Sequence, residues 1–104
     1  MIIYSVTVTI DNAVEGDWVA WMRTKHIPEV METGCFHAAH LQRLLDPMPE
    51  AGVSTFNVQY ECVSMDAYEA YAELHAPQLQ SEHAMRYKER FVAFRTLLLR
   101  EDSF

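Results

Sequence analysis

Glycine is scarce in this 104-residue chain: three in all, at Gly16, Gly34 and Gly52. Scattered like that, they build neither a phosphate-cradling loop nor a dinucleotide fingerprint, both of which need glycines clustered. Cysteine is scarcer still. Cys35 and Cys62 stand far apart with no CxxC spacing, so no thiol pair of metal-binding or redox type is encoded. Basic residues number 8 against 15 acids, a formal charge of −7. A nucleic-acid or anionic-membrane surface would need a basic patch. The one basic cluster, RYKER at 86–90, contains an acid and reads as a solvated helix end. No apolar run approaches the ~20 residues that span a bilayer. The N-terminal MIIYSVTVTID has neither a basic leader nor a cleavage site, so it does not read as a signal peptide. Two free thiols in a cytoplasmic protein are the resulting expectation. There is no GxSxG elbow, paired-carboxylate signature, HxH or HExxH, and hence no reason in the sequence to expect a metal or a cofactor.

What is present is core-forming material. The chain is 50% hydrophobic and 12% aromatic, enough for a packed interior and unlike a disordered chain. Its length suits one domain, residues 1–104, that gains from a partner copy because small domains bury proportionally little surface.

The patterning gives an element order. Ile2, Tyr4, Val6, Val8 and Ile10 alternate with Ser5, Thr7 and Thr9, a strand with one apolar and one polar face. Asn12 with Glu15 has capping-box spacing. Val14, Trp18, Met22, His26 and Val30 recur every four residues and predict a helix over 14–33. Pro28 predicts a kink near 26–28, and Gly34 suits the helix end. Residues 36–45 read as a second strand, and DPMPEAG at 46–52 as a loop. Phe56, Val58, Tyr60 and Cys62 alternate with Thr55, Asn57, Gln59 and Glu61 in a third strand over 53–63. Ser64 caps a second helical region, 65–89, which Pro77 splits near residue 76. FVAFRTLLL at 91–99 is a last strand, apolar on both faces except at Arg95.

The order β-α-β-β-α-β specifies a ferredoxin-like α+β fold: a four-stranded antiparallel sheet with both helical regions on one face. The other face would be bare in a monomer. The alternation assigns to it Thr7, Thr9, Asn57, Gln59 and Arg95, together with Phe91, Leu97 and Leu99, and assigns Phe94 to the core. A face so mixed in character is too apolar to leave in water. A homodimer packing sheet on sheet would cover it and leave a partly polar pocket for a small-molecule ligand.

WVAWMRTKHIPEVMETGCF at 18–36 resembles the first helix of the dimeric α+β barrel superfamily. There a tryptophan-rich helix, a His followed by Ile/Leu-Pro, and a Gly before the second strand recur together. YEAYAELHAPQLQSEHAMRYKERFVAFRTLLL at 68–99 looks like a small bacterial family of that superfamily, carried as a domain of unknown function. The resemblance covers nearly the whole chain and implies a dimeric α+β barrel. The superfamily spans small monooxygenases, isomerases, chlorite- and haem-handling enzymes and proteins without known activity, so it selects no reaction. It implies only that His26, ending the first helix, points into the cavity.

Candidate site residues follow. His26, near the barrel mouth, suits proton transfer at neutral pH; its competing role is to satisfy backbone groups freed at Pro28. His83, between Leu79 and Tyr87, faces either the same cavity or a hydrogen-bonding partner at the helix–sheet contact. Arg95 either pairs with Glu61 or holds a substrate carboxylate, since an unpaired buried guanidinium is costly. Trp18 and Gln59 complete the candidate substrate-binding set. His75 reads as a cap of the second half-helix. His75 and His83, eight residues apart on a helix, are separated by roughly 12 Å, too far for one metal. His37 and His40 fall on opposite faces of a strand. Two functions fit this set. One is a small-molecule site with His26 as the proton-transfer group. The other is a non-enzymatic structural or protein-interaction module whose sheet face is only a dimer interface.

Overall fold

Register decides which side of the sheet each residue serves. In the computed structural model, which describes residues 1–104, the central strand β1 (Ile2–Asp11) lies antiparallel to both β3 (Val53–Cys62) and β4 (Phe91–Leu99). The short β2 (Ala38–Arg43) pairs with the far side of β3, giving the order β2-β3-β1-β4. Residues directly opposite share a face. Tyr4 lies across from Tyr60 and Leu97, Val6 from Val58 and Arg95, Val8 from Phe56 and Ala93. This inner face carries the helices, and it buries Tyr4, Val8, Ile10, Phe56, Val58, Tyr60 and Cys62.

The first helical stretch consists of α1 (Glu15–Trp21), a π-helical turn (Met22–His26) and α2 (Ile27–Glu32). Backbone angles stay right-handed helical through both junctions, and the irregularity expected at Pro28 takes the form of a π turn just before it. Proline lacks an N–H and crowds the carbonyl four residues back. Here the turn before Pro28 widens, and the Ile27 N–H reaches the Met22 carbonyl five residues away. Trp18 and Val30 are fully buried and Met22 nearly so. Gly34, at φ 77°, turns the chain out of the helix. The expected capping box does not form. Asp11 accepts from Ala13 N–H instead, Asn12 accepts from Ser54 Oγ, and Glu15 pairs with Arg43.

The second helical region divides at His75 into α3 (Met65–Leu74) and α4 (Ala76–Arg86), with Pro77 in the first turn of α4. Ser64 Oγ caps α3 through Ala67 N–H. His75 stands at the α4 N-cap, but its side chain makes no cap bond. Hydrogen bonds tie α4 and its C-cap Tyr87 to α1. Trp18 Nε1 donates to His83 Nε2 at 2.9 Å, and the Tyr87 hydroxyl donates to Asp17 at 2.8 Å. Within the basic cluster at 86–90, Arg86 pairs with Asp17 and Arg90 with Asp11. No helix is long and apolar enough to cross a membrane.

On the outer face the expected polar residues are present. Asn57 donates to Ser5 and Thr7, and Thr9 meets Thr55 at 3.0 Å. The apolar part of that face, however, comes from the opposite set of β4 residues. Val92, Phe94 and Leu98 lie across from Thr9, Thr7 and Ile3, with Val92 72% and Phe94 62% exposed. Phe94 is therefore not a core residue. Phe91, Leu97, Leu99 and Arg95 belong to the helix-bearing side. A strand with apolar residues on both faces gives its alternation no preferred face, and pairing with β1 settles the matter.

Candidate functional site

Between the helices and the inner sheet face lies a cavity of about 30 Å³. It is bounded by Tyr4 and Val6 of β1, Arg95 of β4, His26 of the π turn, and Gln80 and His83 of α4. At that size it admits ordered water and not an organic molecule. The exposed Arg95 and the half-buried Gln80 stand where a larger ligand would have to displace side chains.

His26 reaches the cavity because the π turn presents it there. A wide turn stacks residues five apart, and the Trp21 ring lies on the His26 ring at 5.0 Å and 28°. His26 Nδ1 is buried without a hydrogen-bond partner. Burial pushes the imidazole pKa down, while Glu29 and then Glu82 oppose the shift. The neutral ring is therefore the form at pH 7. His83 sits 5.8 Å away, centroid to centroid, in an edge-on arrangement. Indole N–H is only a donor, so the Trp18 bond makes His83 Nε2 an acceptor and leaves the ring proton on Nδ1. Burial pushes the His83 pKa down to about 4, assisted by the neighbouring His26 and Arg95.

Arg95 takes part in none of the seven ion pairs. The expected Arg95–Glu61 pair is absent for a geometric reason. Glu61 lies across from Ile3 on the outer face, while Arg95 lies across from Val6 on the inner one. Glu61 binds Arg100 at 3.1 Å and His40 at 3.4 Å instead. No carboxylate lines the cavity. Its electrostatics come from one guanidinium, two neutral imidazoles and tyrosine hydroxyls, a setting that favours an anionic group.

Of the five candidates, three converge: His26, His83 and Arg95 line one cavity. Both readings of His83 hold at once, since it faces the cavity and bonds to Trp18. Trp18 does not line the cavity; it is 0% exposed and fixes His83 from behind. Gln59 lies on the outer face, across from Ser5 and His40, and does not line this cavity. Sequence reasoning missed Trp21 and Gln80. Trp21 follows Trp18 by three residues and Gln80 precedes His83 by three, the spacing that shares a helix face. His75 and His37 stay outside the cavity, and no group of three or more His, Cys, Asp or Glu side chains is placed to hold a metal ion.

This architecture recurs in solved structures of low sequence similarity. A dimeric ferredoxin-like protein from an uncultured marine organism superposes with a TM-score of 0.69 at 9% identity, covering 100% of this chain and 98% of its own. A point variant of SnoaB, a cofactor-independent oxygenase from Streptomyces nogalater, gives 0.65 at 13% identity over 98% and 95%. An ethyl tert-butyl ether D (EthD) family protein from Bacillus halodurans gives 0.63 at 10% identity over 92% and 97%. At these identities the likeness establishes the fold, which is ferredoxin-like and similar to that of monooxygenase-like proteins. No curated protein matches the chain. A family model does match residues 1–101, and the chain accordingly belongs to the family described as Domain of unknown function (DUF4286).

Proposed function

We propose that the cavity, widened as the Arg95 and Gln80 side chains move aside, is a small-molecule site in which His26 transfers a proton and Arg95 holds an anionic group of the ligand. One observation carries this reading: a neutral imidazole with an unpartnered buried nitrogen and a guanidinium without a counter-ion line one cavity that holds no carboxylate. A neutral His26 accepts a proton from an acidic O–H or C–H, and the ligand anion so formed is stabilised by Arg95. His83, locked by Trp18, stays neutral and presents its Nδ1–H as an orienting donor. The working unit in this proposal is a homodimer, in which the partner copy covers Val92, Phe94 and Leu98. That assembly is drawn from the exposed outer face and from the dimeric description of the marine ferredoxin-like protein.

The non-enzymatic reading has one observation of its own, the small cavity volume. Native mass spectrometry of gently purified protein separates the two. A dimer retaining extra mass that Arg95→Gln and His26→Gln both lose supports a ligand site. A dimer with no retained mass, before and after soaking with small carboxylates and phenols, supports the interaction module. A monomer removes the sheet-on-sheet assembly.

A further inference from the structure

The largest recess in the molecule is elsewhere. A groove of about 500 Å³ runs along the outer side of the first helical stretch and above the edge strand β2. Ile27, Pro28 and Met31 form its helical wall, and Leu41 and Phe56 its sheet wall. That volume lies within the range of small-molecule sites. Two arginines and one glutamine supply its only strongly polar side chains. Arg43 is already oriented: its guanidinium lies 4.6 Å over the Phe56 ring, and Nη2 donates to Glu15 at 3.0 Å. Arg23, on the π turn, is in no ion pair.

The sign of this lining is informative. Acids outnumber bases 15 to 8, and each of the three other surface clefts contains at least one carboxylate. The groove contains none. An apolar trough with cationic groups at its rim matches a molecule with an apolar body and a negative head. A neutral hydrocarbon would gain nothing from Arg23, and a cation would be repelled by both arginines.

We propose that this groove is a second binding site, distinct from the His26 cavity, for a small acidic amphiphile. Its carboxylate would lie against Arg23 and Arg43, and its hydrocarbon or aromatic body along Ile27, Met31 and Leu41. The test is a titration of methyl-labelled full-length protein with decanoate and, separately, with decanol, followed by NMR. Saturable shifts at the Ile27, Met31 and Leu41 methyls are expected, with decanol at least about tenfold weaker. Arg23→Gln should weaken decanoate about five- to tenfold, because one charge-assisted contact is lost. Lys88→Gln, a charge removed away from every cleft, should leave it unchanged. Arg23 is exposed, so folding of its variant is not at stake. Absence of saturable shifts, shifts confined to the His26 cavity, equal binding of decanol, or equal weakening by Lys88→Gln would each overturn the proposal.

Discussion

Acidification should expose the cost of the buried His83 ring. Its ordinary pKa is 6.5 and its folded value is about 4. For a base held below its ordinary value, the neutral folded form is fully favourable above pH 6.5. Stability is lost as pH falls through that value, and the loss levels off below the folded value. Each pKa unit corresponds to about 1.4 kcal/mol, so full protonation removes roughly 3 kcal/mol. At pH 4.5 roughly 2.5 kcal/mol of that has gone. His26, also held low, and the carboxylates of Asp11, Glu15 and Glu61, held below their usual range by hydrogen bonds and arginines, contribute acid sensitivity of their own. A comparison therefore has to isolate His83. His83→Gln retains a side-chain acceptor for the Trp18 N–H and does not titrate. Urea unfolding of both proteins at pH 7.0 and pH 4.5, at several protein concentrations, gives the four stabilities required. The parent should lose roughly 2–3 kcal/mol more than the variant on acidification. Equal losses would refute the reasoning, since they would mean that His83 is hydrated or already protonated at neutral pH.

Three further outcomes follow from neighbouring contacts. Trp18→Phe removes the donor to His83 Nε2 and should cost about 1–3 kcal/mol through the orphaned acceptor. It should also raise the His83 pKa, because a bond to the neutral form is gone, and NMR titration reads that shift directly. Glu82→Gln removes one of the two acids that resist the depression of His26, so the His26 pKa should fall further; an unchanged value would remove Glu82 from the electrostatics of the site. Phe94→Glu places a charge on the exposed outer face and should convert a sheet-packed dimer to monomer in size-exclusion chromatography with the helical circular dichroism unchanged. A persistent dimer would rule out that face as the interface.

The elements were legible wherever the sequence alternates cleanly. Over Tyr4–Ile10 of β1 and Thr55–Cys62 of β3, apolar and polar residues take turns, and the faces they predict are the faces observed. In β4 both sets are apolar, so hydrophobicity carries no information about orientation. Only the pairing of Val6 with Arg95 places the arginine beside the helices. Arg95 was thus recognised as an unusual charge and given the wrong neighbours. Gln59 is on the polar face its alternation predicts, while the cavity lined by His26 is on the other side of the sheet. Pro28 was correctly read as a perturbation; the helix meets it with a widened turn, and that turn brings Trp21 onto His26. Which turn a proline stretches depends on what packs against it, and one chain's local sequence does not carry that information.

Both tryptophans in this protein touch the cavity histidines: Trp18 hydrogen-bonds to His83, and Trp21 stacks on His26 and lies 5.8 Å from the His83 ring. An imidazolium quenches indole emission far more strongly than a neutral ring does. The fold thus carries two intrinsic optical probes, each beside a protonation site it would report. With Trp21 replaced by phenylalanine, the fluorescence of Trp18 becomes a label-free titration of His83; with Trp18 replaced, Trp21 reports the two rings together. Proton uptake at His83 alone, and at the pair, could then be followed in real time, as a ligand arrives.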